Sequence, residues 1–238
     1  MKKQLLEHME LAAGWLADIA LNRDDEPIGE YGKLMPLLRW RGAIRGEYRV
    51  AERAWDSFCP IWHTGQAVKA LHLAAGTLRR PDLDEAAAAA AEFIVKNRTR
   101  TGALLAVEDH PDKINTSAVL EALDGLFDLP EYRDAAIEIL YWVKEHLWDP
   151  ERSLFYGLYD PFGEHVLPEK IRAGRARPLL DDAVYITGWR HTGDPALLAV
   201  ATATAERLLR DEFPAGNWMK YGPCLLAEQR IHPRHAYW

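Results

Sequence analysis

Cysteine is almost missing from this sequence: Cys59 and Cys224 are the two in 238 residues. A disulfide framework is therefore excluded as the source of stability, and buried free thiols in a reducing compartment are expected, which points to the cytoplasm. Long apolar runs are missing too. No stretch approaches the ~18 residues of a membrane span. The N-terminus, "MKKQLLEHMELAAGWLADIAL", opens on lysines as a signal peptide does, but Glu7, His8 and Glu10 break the apolar core that such a peptide needs. There is no excess of positive charge. The net charge of -7 draws the chain neither to nucleic acid nor to an anionic membrane. One basic cluster, "RWRGAIRGEYRVAER" from Arg39 to Arg53, is interrupted by glutamates and reads as a solvated loop. No P-loop, GxGxxG or GxSxG occurs, so nucleotide and serine-hydrolase chemistry lack a signature. "HPRH" at His232–His235 has neither the spacing nor the carboxylate of a zinc site, and neither metal nor cofactor is expected.

What the chain does have is apolar mass and helical rhythm. Hydrophobic residues make up 48%, enough for the core of one domain over residues 1–238. One spacing, i, i+3, i+4, i+7, i+11, occurs three times. It is carried by Leu83, Ala86, Ala87, Ala90 and Ile94; by Tyr132, Ala135, Ala136, Ile139 and Val143; and by Leu197, Val200, Ala201, Thr204 and Leu208. Each set lays an apolar stripe along an amphipathic helix. Each follows a turn rich in proline and acid, good chemistry for a helix start. Before each turn lies another helix, over 64–75, 116–127 and 182–189. These are apolar around more of their circumference, or carry small residues such as Gly65 and Ala67. The chain thus reads as three hairpins, an enclosed inner helix followed by an outer helix with one wet face. A first helix over 3–21 precedes them. An irregular segment spans 22–60, and a long loop over 148–178 has strand-friendly character in "SLFYGLYD".

"PIWHTGQAVKALHLAAG", "LWDPERSLFYG" and "LLDDAVYITGWRHTGD" resemble phrases of the six-hairpin (α/α) toroid superfamily. Its members include glycoside hydrolases, unsaturated uronyl hydrolases, N-acylglucosamine 2-epimerase-like enzymes and some polysaccharide lyases. The resemblance covers about residues 56–221 and is one of architecture and phrase style, with no motif that singles out one family. It implies an all-α fold of inner and outer layers, and a carbohydrate as substrate or ligand. A complete toroid has about twelve helices, against about seven counted here. An incomplete arc exposes apolar helix faces, which implies a second copy or a further length of chain to cover them.

The resemblance also implies a funnel at one end of the inner helices, lined by the loops that enter them. Carried over residue by residue, it gathers Asp56, Trp62, His63, Gln66, Asn115, Asp181 and Asp182. The intervening loops add Glu108, Asp109, His110, Tyr159, Asp160 and Glu164. Asp181 and Asp182 stand before an inner helix, where one carboxylate is expected to cap the helix and the other to serve as general acid or base. Which does which is open, and Asp56, Glu108 and Glu164 are candidates for the second carboxylate of a glycosidic pair. His63 is a candidate acid or base, or a holder of a substrate carboxylate; equally it fits a polar residue at a helix entrance. Trp62 suits stacking on a sugar ring or packing in a core. Gln66 lies a turn further on. Asn115 fits a helix cap as well as a ligand contact. Two other readings of the whole remain: a non-catalytic module holding a glycan or a protein on its concave face, and a sugar isomerase of epimerase type.

Overall fold

The structure, a computed structural model, describes residues 2–57, 59–98, 112–168 and 176–213, with 215, 218 and 220. Helix α1 (Lys2–Trp15) runs on into a wider π-helical turn, Leu16–Ala20. The connecting segment is more ordered than its composition suggests. It holds a short helix, α2 (Gly29–Lys33), and a hairpin of β1 (Glu47–Arg49) and β2 (Ala54–Asp56).

The three hairpins follow. Their inner helices are α3 (Pro60–Leu78), α5 (Thr116–Asp128) and α7 (Val184–Thr192). Their outer helices are α4 (Pro81–Lys96), α6 (Arg133–Leu147) and α8 (Pro195–Asp211). Proline opens α3, α4 and α8, where its missing N–H costs nothing and its fixed φ suits the first turn. Within each hairpin the helices pack together, and α5 packs on both α3 and α7. The inner row is therefore α3–α5–α7. The central helix shows it most clearly: every residue from Thr116 to Phe127 except Ser117 is buried.

Glycine sets the inner spacing. A Cβ on Gly65 would lie 2.4 Å from the Ala122 Cα, and one on Gly125 would lie 2.3 Å from the Gly65 carbonyl oxygen. Helices α3 and α5 thus touch backbone to backbone, closer than side chains allow. On the outer side, Asp194 Oδ1 caps α8 by accepting from the Ala196 N–H at 2.8 Å. Its Oδ2 accepts from the Tyr141 hydroxyl of α6 at 2.7 Å, which joins the second and third hairpins.

The strands are short and sit between helices. Before α5 runs β3 (Ile114–Asn115). The long loop after α6 contains β4 (Trp148–Asp149), β5 (Leu154–Phe155), β6 (Leu158–Asp160) and β7 (His165–Val166). Strands β4 and β5 form one antiparallel pair, while β6 pairs with both β7 and β3. The loop is therefore stitched to the entrance of α5. A second tie, between Phe155 and Arg177, fixes the chain just before α7 through bonds of 2.7 and 2.8 Å.

Candidate functional site

Asp181 lies where the loop turns into the third inner helix. It opens a 3₁₀ turn, Asp181–Ala183, and is 3% exposed. The expected cap is not formed by Asp181: neither this turn nor α7 has a side-chain cap, and Ala183, in the left-handed region at φ 54°, stands at the start of α7. Asp181 turns instead across the inner row. Its Oδ1 accepts from the Ser117 hydroxyl of α5 at 3.1 Å. The same hydroxyl lies 3.2 Å from Oε1 of Glu121, one turn further along α5 and 4% exposed. Oδ2 of Asp181 is buried with no hydrogen-bond partner among the described residues. Beside it is a small cavity lined mainly by Leu120, Leu179, Val184, Tyr185 and Ala201, with room for about one water molecule.

That setting favours the neutral acid. Burial pushes the Asp181 carboxyl up, and the Glu121 charge pushes it further. Arg177 and the Ser117 hydroxyl pull the other way, and the result is about 7. The cluster reaches the first hairpin as well, because Gln66 Nε2 of α3 donates to the Glu121 carbonyl at 3.2 Å. One turn beyond, Lys69 of α3 pairs with Asp124 of α5. A chain of polar contacts thus runs Gln66–Glu121–Ser117–Asp181 and joins all three inner-helix entrances.

Carbohydrate enzymes share this arrangement of helices. No family model matches the sequence, and no curated protein matches it. Among solved structures, the GH76 α-mannanase of Bacteroides thetaiotaomicron is 17% identical, with a TM-score of 0.54 over 66% of this chain and 46% of its own. The GH76 α-1,6-mannanase of a Salegentibacter species is 15% identical, with a TM-score of 0.53 over 69% of this chain and 52% of its own. That structure is an inactive variant with two adjacent aspartates changed to asparagine, in complex with α-1,6-mannotriose. A D-mannose isomerase is 10% identical, with a TM-score of 0.59 over 87% of this chain and 52% of its own. The fold is thus the (α/α) toroid arrangement of helical hairpins, and the chain spans about half the length of the structures that it matches.

The remaining candidates divide. Trp62 and His63 open α3 half-buried, with their rings 5.1 Å apart, one turn before Gln66. Asp56 goes elsewhere: its Oδ1 accepts from the backbone N–H groups of Tyr31 and Ser57 at 2.9 and 2.8 Å, and its Oδ2 pairs with Arg49 at 2.7 Å. Asn115 caps α5, accepting from the Ala118 N–H at 3.1 Å. Tyr159 is packed edge-on against Trp142 and His146. Asp160 accepts from the Phe162 and Gly163 N–H groups, and Glu164 is exposed on the β6–β7 turn. Glu108, Asp109, His110, the His232–His235 stretch and the side chain of Asp182 lie outside the described residues. Among the described residues no group of His, Cys, Asp and Glu is arranged to hold a metal ion, and no helix is long and apolar enough to cross a membrane.

Sequence reasoning missed Ser117 and Glu121. The signal was there: "TSAVLEALDGLF" places Glu121 and Asp124 in a helix apolar on every side. A charge in such a helix has no route to water and must find a partner or a proton.

Proposed function

We propose that the protein is a carbohydrate-active enzyme in which Asp181 and Asp182 carry the acid–base chemistry. The observation that carries this reading is the buried carboxyl of Asp181 at an inner-helix entrance, pushed up to about 7 by burial and the Glu121 charge. Glycosidic cleavage needs a carboxylic acid to protonate the departing oxygen and a carboxylate to stabilise or attack the positive anomeric carbon, or to activate water. Asp181 serves as the acid, and Asp182, next in sequence, supplies the carboxylate. Support comes from the mannanase of like fold whose inactive form lacks two adjacent aspartates. Trp62 offers a ring face to a sugar, while His63 and Gln66 supply polar contacts. α-Mannosides are the first substrates to try.

The protein is incubated with α-1,6-mannotriose, and in parallel with aryl glycosides and unsaturated uronides, and released sugars are measured. Asp181→Asn and Asp182→Asn are each expected to lower the rate by about 100-fold or more. If both variants fold and neither loses activity, the assignment fails. The likeness to D-mannose isomerase over 87% of the chain favours a second reading, an aldose–ketose isomerase with His63 as base. Conversion of mannose to its ketose, lost in His63→Gln and kept in Asp181→Asn, selects that reading.

A further inference from the structure

A serine hydroxyl carries one hydrogen, yet Ser117 Oγ stands 3.1 Å from Asp181 Oδ1 and 3.2 Å from Glu121 Oε1. Two ionised carboxylates at those distances compete for that single hydrogen. Both contacts become good hydrogen bonds only when one carboxyl is protonated and donates to Ser117, which donates in turn to the other. We infer that Asp181, Ser117 and Glu121 share one dissociable proton, and that Glu121 is the positioning residue that keeps it on Asp181. The catalytic meaning of this proton rests on the acid role proposed for Asp181; its presence rests on the geometry alone.

The surroundings decide which carboxyl carries it. The cavity that Asp181 borders is otherwise lined by leucine, valine, alanine and Tyr185, and Asp181 Oδ2 has no described partner to stabilise a charge. Helix α5 presents Glu121 and Ser117 to it. The segment before the 3₁₀ turn presents Arg177, whose charge favours ionisation. Helix α7 presents Tyr185, which burial keeps neutral, and α8 presents Ala201. Further along α5, Asp124 is paired with Lys69 of α3. Glu121 receives the Gln66 amide at its carbonyl, so its backbone, and with it the side chain, is anchored between α3 and α5. Two carboxyls joined through one hydroxyl titrate as a pair, and loss of the second proton is opposed by the charge already present.

Isotope-edited NMR of the side-chain carboxyl carbons tests this without any sugar. In the wild type the signal assigned through Asp181→Asn is expected to titrate near pH 7, with a step in the Glu121 signal at the same midpoint. In Glu121→Gln the Asp181 midpoint falls by about one pH unit, tenfold in acid constant. If activity is found, the alkaline limb of kcat/KM moves down by the same amount, a change that a purely structural residue does not produce. An Asp181 signal that titrates below about pH 5, or a Glu121 signal with no step at the Asp181 midpoint, overturns the proposal. Both are read in the wild type, so the test survives a Glu121→Gln chain that fails to fold. Absence of glycosidase activity alongside the expected titration removes the catalytic role and leaves the shared proton standing.

Discussion

Asp56 and Asp181 are equally buried, each 3% exposed, and each stands just before an inner helix of a like hairpin. Their surroundings are opposite. Asp56 accepts two backbone N–H bonds and meets a guanidinium, so its charge is fully answered. Asp181 receives one shared hydroxyl, leaves an oxygen without a described partner and faces a second carboxylate. Where a buried carboxyl is met by donors, it ties chain segments together. Where it is denied them, burial and a neighbouring charge push the carboxyl up to about 7, a property that a stable fold does not need and acid catalysis does. Residue type and position along the repeat are the same, and only the partners separate scaffold from candidate site.

The largest effect that sharpens this contrast is on the pH dependence of stability. The Asp181 carboxyl is raised in the folded state, from 3.8 to about 7. Protonated Asp181 is therefore favoured by folding. Its stabilising contribution is fully present below the unfolded value and is lost as pH rises toward 7. A rise of that size corresponds to about 4 kcal/mol as an upper figure. Urea unfolding of the wild type and Asp181→Asn, compared at intervals between pH 4 and 8, should give a difference that swings in favour of the variant as pH rises. A difference that stays flat removes the distinction between the two aspartates.

Next in size is the loss of Asp56. Asp56→Ala leaves two backbone N–H groups without their acceptor and releases Arg49 from its partner. Because Arg49 is itself half exposed, most of the cost comes from the amides, and about 3 kcal/mol is expected. Chemical denaturation checks it.

These two sites also explain what the sequence could and could not reveal. The three hairpins were legible because helical periodicity is local: the spacing of Leu83, Ala86, Ala87 and Ala90 sets the buried face of α4 before any partner is known. Turn chemistry placed Pro195 and Asp194 at the start of α8 for the same reason. The fate of a polar residue is not local. Asp56 is fixed by the N–H of Tyr31, 25 positions away, and Asp181 by Ser117, 64 positions away. No spacing rule reports such pairs, so a satisfied carboxylate and an unsatisfied one look alike in the sequence. The short strands were half legible. Aromatic residues marked the 148–178 loop as strand-friendly, but its pairing with β3 depends on the hairpins having already come together.

The smallest expected effect is at the entrance between the two aspartates. Asn115 holds the start of α5 in the commonest way, with its side chain accepting from the N–H of Ala118, and its own backbone is paired through β3 to β6. Asn115→Ala removes one cap bond and leaves the strand pairing in place, so a loss of about 1 kcal/mol is expected. While the Asp181 midpoint is unmoved the loss should be independent of pH, since the cap itself contains no titrating group. The variant also probes the site, because Ser117 and Glu121 lie in the first two turns of α5. If that end of the helix frays, Ser117 moves away from Asp181, and the Asp181 midpoint shifts with it. An unchanged midpoint would show that the helix start is held by β3 and by its contacts with Gly157 and Tyr156, with the cap adding stability alone.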